Sequence, residues 1–541
     1  VFDVISENRF FQSRDSVEWA ELAFSVNGAK WGPDHPGLPL LQAEKVVTLP
    51  LDLRLTNDYR YRLDGIEAIG ERRCYVVAFD PIDDRDSRYR GRVWIDSRSF
   101  VRIKVDSVQT NLHGQVVSNE EAVTYEPVAA ANGQPIYLAT RVTTKQLLLI
   151  AGRTLLLEKE QWYSDFHVDA AAFLVEREAA RSGDHVMFRD TDAGVRYLVK
   201  RDGERVVSNA IRNSSRALAM GTTIDPTFAF PLPILGINYL NFGFPNRNSQ
   251  LALLFGGVFA AGNIQVPKLG STPLDASVDF FGIAVPSSDI RFDAAGERLD
   301  ERLYSIPVTT GVNVGYQFTP FQKLAAGYTY RYDKFFNDPD TAPDFVTPVS
   351  TSTYGVSIGY EFKRHGYSIG TTASTFRRAS WEPWGRAGDF DPAAKTYARY
   401  SVGVSKDVLL GPFQSVHIGG AWYDGRRLDR FSMYQFGLFD ELRMHGVPSS
   451  GIRFGALALM HASYSFNVLN IYKIDLFFDQ AIARDPEDRS VRRPVTGTGI
   501  AVNLKAPWNT MFSVDVGKSF LPAIYRPAGS VVLQLMLLKP L

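Results

Sequence analysis

The chain carries one cysteine, Cys74, in 541 residues. It can therefore form no internal disulfide and no cysteine-ligated zinc site. It has no net charge, because 59 basic and 59 acidic side chains cancel, and no basic block stands out. That balance removes the electrostatic footprint of a nucleic-acid binder. It also lacks an unbroken apolar run of the roughly 18 residues a membrane helix needs. The nearest uncharged stretches, 226–246 and 248–267, are interrupted by Pro231, Pro233 and Pro245 and by Gly256, Gly257 and Gly262. There is no Gly-x-Ser-x-Gly elbow, no His-Glu-x-x-His helix and no phosphate-cradling glycine loop. The eight histidines show no metal-ligand spacing, and the acid clusters Asp83-Asp84-Asp86 and Asp338-Asp340-Asp344 lack the spaced ligands of a calcium loop. No catalysis, cofactor, metal or nucleic-acid partner is expected. The opening Val1-Phe2-Asp3 shows neither a starter Met nor a basic-then-apolar leader and reads as a processed or truncated start.

What is present is aromatic residues and glycine: 36 Phe, 24 Tyr, 8 Trp and 43 Gly, in a chain whose mean hydropathy is only −0.12. Enrichment of this kind without bulk hydrophobicity fits a transmembrane β-barrel, in which every second residue meets lipid. It equally fits a large soluble β-protein, so the pattern along the chain has to decide.

Residues 1–166 read as an antiparallel β domain. Asp15-Ser16-Val17-Glu18 resembles a helix capping box, and Trp19, Leu22, Ala23 and Val26 follow at helical spacing, which predicts one N-terminal helix. Extended segments come next, among them 74–79, 91–95, 100–108, 137–149 and 155–166, with a tight turn at 150–153. Val101, Ile103 and Val105 alternate with Arg102, Lys104 and Asp106, the period of a half-buried strand. A connector, 167–231, carries an Ala/Glu-rich helix over 169–181, a small β meander over 185–207 and a short helix over 213–220.

From 232 to 541 the pattern becomes repetitive. Tyr354, Val356, Ile358, Tyr360 and Phe362 alternate with Gly355, Ser357, Gly359 and Glu361; similar ladders recur at 398–405, 499–505 and 512–517. Alternation alone fits a soluble sandwich as well. The connections discriminate. Short turns at 319–320, 363–365, 410–412, 467–470 and 506–509 alternate with long polar excursions at 289–302, 336–350, 378–395, 423–450, 484–494 and 520–528. Short turns on one edge and long loops on the other characterise outer-membrane barrels. About 14 strands are counted from Leu232. The expected fold is mainly β: an N-terminal antiparallel domain and a C-terminal transmembrane barrel of 14–16 strands.

The stretch 428–466, LDRFSMYQFGLFDELRMHGVPSSGIRFGALALMHASYSF, is followed by Phe477-Phe478-Asp479 and by the glycine-rich GTGIAVNLKAPW at 497–508. Together these resemble the bacterial surface antigen family of outer-membrane barrels, shared by assembly factors and two-partner secretion transporters. The resemblance implies 16 strands, a long loop folded into the lumen, and an arginine on that loop locked to the acid of the Phe-Phe-Asp strand. The matching positions are Arg443 and Asp479. Here Met444-His445-Gly446 follows the arginine, where the family has Gly-aromatic at once. Without the resemblance, Ile474, Leu476 and Phe478 facing lipid put Asp479 on the lumen side, where a guanidinium can bind it bidentately; the plainer reading makes Arg443 a solvated loop charge.

The Cys74–Phe79 strand, followed by Arg90-Gly91-Arg92-Val93-Trp94-Ile95-Asp96 and an alternating strand, resembles periplasmic lipoprotein-carrier domains, curved sheets whose hollow holds acyl chains. Trp94, Ile95, Leu147, Leu149 and Trp162 are the residues expected to line such a groove, or else simply to form a core. The function expected is membrane biogenesis or export at the bacterial outer membrane. The N-terminal domain would stand in the periplasm, the barrel in outer-membrane lipid, and a client chain or lipoprotein would be the partner. The alternative is a passive channel or structural barrel.

Overall fold

The computed structural model describes all residues except 1–2, 27–28, 33–39, 41, 47, 52–57, 84–85, 113–114, 130–134, 151–152, 209–212, 226–230, 246–248, 271, 294–295, 320, 412–413, 437–441, 449–451, 469–471, 485–490, 507–509 and 522–528. The turn residues Ala151 and Gly152, Asp84 of the first acid cluster, and the Pro507-Trp508 end of the glycine-rich segment thus lie outside the described residues.

Two antiparallel sheets precede the barrel. One is a seven-stranded meander running from Tyr59–Ile69 to Arg153–Trp162. The other is built from Val4–Gln12, Val17–Val26, Met187–Thr191, Gly194–Arg201 and Glu204–Val207, with Ala29–Trp31 attached beside Val17–Val26. The helix expected over 169–181 is Phe173–Ser182. Its Ala180 packs on Ala20, Met187 and Leu198 of the second sheet, and its Arg181 donates to the fully buried Glu18 at 2.7 Å.

The helix expected after Asp15 is instead the strand Val17–Val26. Glu18, Ala20 and Phe24 are buried at even positions, with Leu22 exposed between them where the pairing with Val4–Gln12 shifts by one residue. The helical spacing of Trp19, Leu22, Ala23 and Val26 is fortuitous. Neighbours on both sides, Val4–Gln12 and Met187–Thr191, supply a hydrogen-bonding ladder that a local pattern cannot reveal. The apparent capping box is a hairpin turn, with Ser13 N–H donating to Ser16 O at 2.8 Å.

Among the described residues, 16 antiparallel strands close the C-terminal barrel. The first, Ser214–Ile224, pairs with Leu232–Asn241 on one side and with the last, Val531–Pro540, on the other. The short helix expected at 213–220 is therefore a barrel strand. Its lateral partner is the far end of the chain, and its alternation, Ser-Ser-Arg-Ala-Leu-Ala-Met, is too weak to stand out. This strand, missing from a count begun at Leu232, accounts for part of the shortfall from 16.

The outer surface is an apolar belt. Leu235, Ile237, Val312, Tyr328, Val356, Ile358, Val404, Ile418, Trp422, Leu476, Phe478 and Ile482 all stand exposed. Soluble monomers do not carry an apolar surface that wraps the whole molecule; in lipid that surface is satisfied, and closure leaves no strand edge unpaired. No described helix is long and apolar enough to cross a membrane.

Both barrel termini lie at the short-turn end. The N-terminal domain meets the barrel there: Gln250 Nε2 donates to Leu149 O at 2.7 Å, Gln115 Nε2 to Phe242 O at 3.0 Å, and Arg364 pairs with Glu120 at 3.2 Å. Asp3 reaches Lys473 at 3.2 Å. In outer-membrane barrels the short-turn end is the periplasmic one.

Candidate functional site

The longest connection, between strands Gln414–Arg426 and Leu457–Val468, does not extend into solvent. Much of it is buried: Tyr434, Phe436, Leu442, Met444, Val447, Ile452 and Phe454 form one cluster with Leu457, Leu459, Ala481, Ala483 and Val495 of the barrel strands. Along Tyr472–Arg484, Leu476, Phe478 and Ile482 stand exposed while Asp479, Ala481 and Ala483 are buried. The loop thus packs against the inner face of the wall.

The wall is shaped for it. On three consecutive strands the inward positions are small: Ala481 and Ala483, then Gly497 and Gly499, then Gly517. A Cβ on Gly497 would come within 2.4 Å of His445 O, and one on Gly517 within 2.2 Å of Gly446 N. Gly446 itself has φ +74° and lies so close to Lys518 that a Cβ would come within 2.3 Å of its backbone carbon. Only glycine fits there, for both steric and conformational reasons.

His445 occupies the centre. Its ring stacks on Phe477 at 3.9 Å, nearly parallel. Both its Nδ1 and its backbone N–H lie 2.7 Å from one oxygen of Asp479, and His461 Nδ1 lies 2.7 Å from the other oxygen. Asp479 is almost fully buried, so three hydrogen-bonding groups compensate its desolvation.

Arg443 and Asp479 are not partners. The Arg443 side chain is more than half exposed, lies 3.6 Å from Asp515 and donates to Gln534 at 3.4 Å. Those residues belong to the last two strands. A small cavity beside them is lined by Thr223, Asp225, Arg443, Val447, Asp515 and Val532 among others, so the inner segment reaches the seam where first and last strands meet. The histidine escapes a motif search keyed on arginine. The run of inward Ala and Gly on successive strands is the sequence signal that points to it.

Toward the long-loop end, four connections knit together. Arg378 grips Asp429 bidentately at 2.8 and 2.8 Å, with both side chains buried, and stacks over Trp381 at 3.7 Å. Arg430 reaches Asp289 at 2.8 Å and also donates to Glu301 O at 2.9 Å; Arg453 binds the other oxygen of Asp289. Phe431 sits among Trp384 (4.8 Å), Phe335 (4.9 Å) and Trp381 (6.3 Å). Arg291 bridges Asp389 at 2.8 Å and Glu301 at 3.0 Å. Burial alone would raise Asp389, but hydrogen bonds from the Arg386 N–H and the Arg291 guanidinium hold it below the usual carboxylate range.

The five residues expected to line an N-terminal groove do not share one hollow. Pairing places Val76 opposite Trp94 and Tyr75 opposite Ile95, so the two neighbours point to opposite faces. Trp94 packs with Cys74, Val76 and Ile103 and donates to Glu67 at 2.8 Å. Leu147 and Leu149 are buried, with Leu149 at the barrel junction. Trp162 is exposed, with Arg141 over its ring at 4.4 Å.

Residues 36–131 match the MucB/RseB N-terminal domain family. No curated protein is a significant match to the chain. Among solved structures, the chain is similar to BamA from Haemophilus ducreyi lacking POTRA domains 1–3, with 12% identity and a TM-score of 0.41 over 69% of this chain and 78% of that one. It is also similar to CdiB from Acinetobacter baumannii (9%, 0.42, over 78% and 66%) and CdiB from Escherichia coli (13%, 0.44, over 63% and 66%).

Proposed function

We propose that this chain is an outer-membrane assembly or export barrel whose long loop plugs the lumen and moves during passage of a client. The N-terminal domain receives a client chain or lipoprotein on the periplasmic side. One observation carries the reading: segment 442–447 is seated on strand Tyr472–Arg484 through His445 and Asp479, crosses the glycine-lined strands beside it, and ends next to the closing seam. The loop is seated by its apolar cluster and by the His445–Asp479 contact, and the wall beneath it is built of small residues, so the loop can leave without rebuilding the wall. Arg443 then serves at the seam, and the anchor to Asp479 is His445.

A passive or structural barrel is the competing reading, favoured by the paired charges that tie the long loops over the mouth. The two separate on His445→Ala, with Arg443→Ala beside it, in the full chain reconstituted into vesicles. Retained heat-modifiable gel mobility shows that the barrel stays folded. An assembly barrel loses its stimulation of membrane insertion of an unfolded eight-stranded barrel probe. A passive barrel changes only its conductance, and that outcome overturns the proposal.

A further inference from the structure

Asp479 is bound by groups whose charge follows pH. Its hydrogen bonds come from the His445 N–H and from the Nδ1 atoms of His445 and His461. Among the described residues no lysine or arginine comes within ion-pair reach of it, and its ion-pair partners are the two imidazoles, each at 2.7 Å. A guanidinium in that place would stay charged at any pH the protein meets. An imidazole changes charge between about pH 5 and about pH 8. Water can deliver the proton, because the His445 side chain is 17% exposed and that of His461 36%. The two imidazoles differ in where they stand. His445 rides on the inner segment, whereas His461 belongs to the wall strand Leu457–Val468, directly opposite Asp479.

The other charges facing this contact have partners of their own. Further along the same strand, Asp475 accepts from Ser465 and Asn503, and Lys473 reaches Asp3 at 3.2 Å. Arg492–Ala506 brings only glycine against His445, at Gly497 and Gly499. Thr510–Phe520 brings Asp515, which faces Arg443 of the inner segment at 3.6 Å. The Lys518 ammonium lies over the Phe520 ring at 5.3 Å, on the face opposite Gly517. Beyond His461, strand Gln414–Arg426 sets Gly419 opposite it, and His417, two residues before, is held by Asp407 at 2.8 Å. On the inner segment, the titratable side chain in contact with the Asp479 carboxylate is therefore His445.

We infer that this contact is a pH-sensitive latch: a proton on His445 fastens segment 442–447 to the wall, and loss of that proton loosens it. The inference rests on the reading of this segment as a movable plug and names what regulates it. The sign follows from the chemistry of the contact. A neutral His445 donates an ordinary hydrogen bond to Asp479. A protonated one donates a charge-assisted bond, about twice as strong, and cancels a carboxylate charge that burial makes costly. Acid thus seats the segment and alkali frees it. His461 has the opposite leverage. It stays beside Asp479 whether the segment is seated or gone, so a proton there compensates the carboxylate in both states and weakens the hold of His445.

The test is amide hydrogen exchange across 442–447 in the full chain in maltoside micelles, with the intrinsic pH dependence of exchange divided out. In the wild type, protection at about pH 5.5 exceeds that at about pH 8 by about fivefold or more, the difference between a charge-assisted and a neutral hydrogen bond. His445→Gln keeps a neutral donor that cannot take the proton, so its protection is the same at both values. Asp479→Asn is flat for the complementary reason. His461→Gln keeps the dependence or steepens it, which a merely structural role for both imidazoles would not produce. His417→Gln leaves it unchanged. Heat-modifiable gel mobility shows that each variant is folded. Equal protection of the wild type at both values, greater protection in alkali, or an undiminished dependence in His445→Gln overturns the latch. Membrane insertion of the barrel probe is read separately. A flat exchange profile beside an active barrel removes the latch and leaves the assembly reading, and a pH-dependent profile in a barrel without insertion activity does the reverse.

Discussion

His445 and Asp479 meet twice, through the imidazole Nδ1 and through the backbone N–H, both at 2.7 Å, while Arg443 two residues earlier turns away toward Asp515. A side-chain lock alone would fail on truncation to alanine; this one keeps its backbone half and the second imidazole of His461. His445→Ala should therefore cost about 1–3 kcal/mol and loosen the inner segment without unfolding the barrel. Asp479→Ala removes the acceptor of both imidazoles and should be the more severe of the two. Limited proteolysis within 442–456 in micelles, compared with heat-modifiable mobility, separates local from global loss. Equal protection in wild type and His445→Ala would sink the idea that this contact holds the segment.

The glycine wall gives a test from the opposite side of the same contact. Gly517→Ala adds a methyl group whose carbon would come within 2.2 Å of Gly446 N, so the inner segment must move while every polar partner remains. Its proteolysis pattern should match that of His445→Ala. Gly370, which has open space around its Cβ position, should accept alanine without effect and serves as the control.

Much of this site was legible in the sequence, though its central contact was not. The Phe477-Phe478-Asp479 run fixes which residue is inward, because alternation on a barrel strand is strict, and the buried Asp479 follows from it. The choice of partner does not follow, because Arg443, His445 and His461 are all polar groups within reach and only the backbone path of a loop decides among them. In the N-terminal domain, periodicity misread Val17–Val26 because helical and strand spacing both accommodate Trp19, Leu22, Ala23 and Val26. Trp94 and Ile95 do not share one hollow, because their regular pairing with Val76 and Tyr75 turns adjacent side chains to opposite faces. Ser214–Ile224 was hidden for another reason: its pairing with Val531–Pro540 spans the whole barrel, and no local signal encodes so distant a contact.

The cap over the mouth depends on buried pairs. Arg378→Ala leaves Asp429 in place without its bidentate partner, and breaking a buried pair from one side costs about 3–5 kcal/mol. The Trp381, Trp384 and Phe431 cluster stands directly on this pair, so tryptophan emission should shift to the red with the barrel still folded. Arg386→Ala, whose side chain is 33% exposed and whose partner Asp300 is 42% exposed, should have a smaller effect.

Acid should open the same cap late. Asp300 is held below its usual range by hydrogen bonds from Arg298 and Arg386, and Asp389 is held low as well. A carboxyl depressed in the folded state contributes stability above its unfolded pKa of about 3.9 and loses it as pH falls through the lower folded value. Proteolysis of loops 284–302 and 379–395 should be flat from pH 8 to pH 5 and should rise only near pH 3 and below. A rise between pH 7 and pH 5 would point to histidines and would contradict this assignment.

The first barrel strand offers the sharpest check on the architecture. Ser214–Ile224 hydrogen-bonds to Leu232–Asn241 on one side and to Val531–Pro540 on the other, so it is the strand through which the cylinder closes. A fragment of residues 214–541 keeps all sixteen strands, and in lipid it has no unpaired edge. A fragment of residues 232–541 keeps the same lipid-facing belt but leaves the edges of Leu232–Asn241 and Val531–Pro540 unsatisfied, at several kcal/mol for each backbone group facing hydrocarbon. Refolded into micelles, the first should give a compact, heat-shifted, protease-resistant band, and the second should remain open or pair edge to edge with another copy. Equal compaction of both would mean that Ser214–Ile224 is dispensable for closure. Folding of the longer fragment in plain buffer would remove the membrane from the account, because the exposed belt would then have to be satisfied by water.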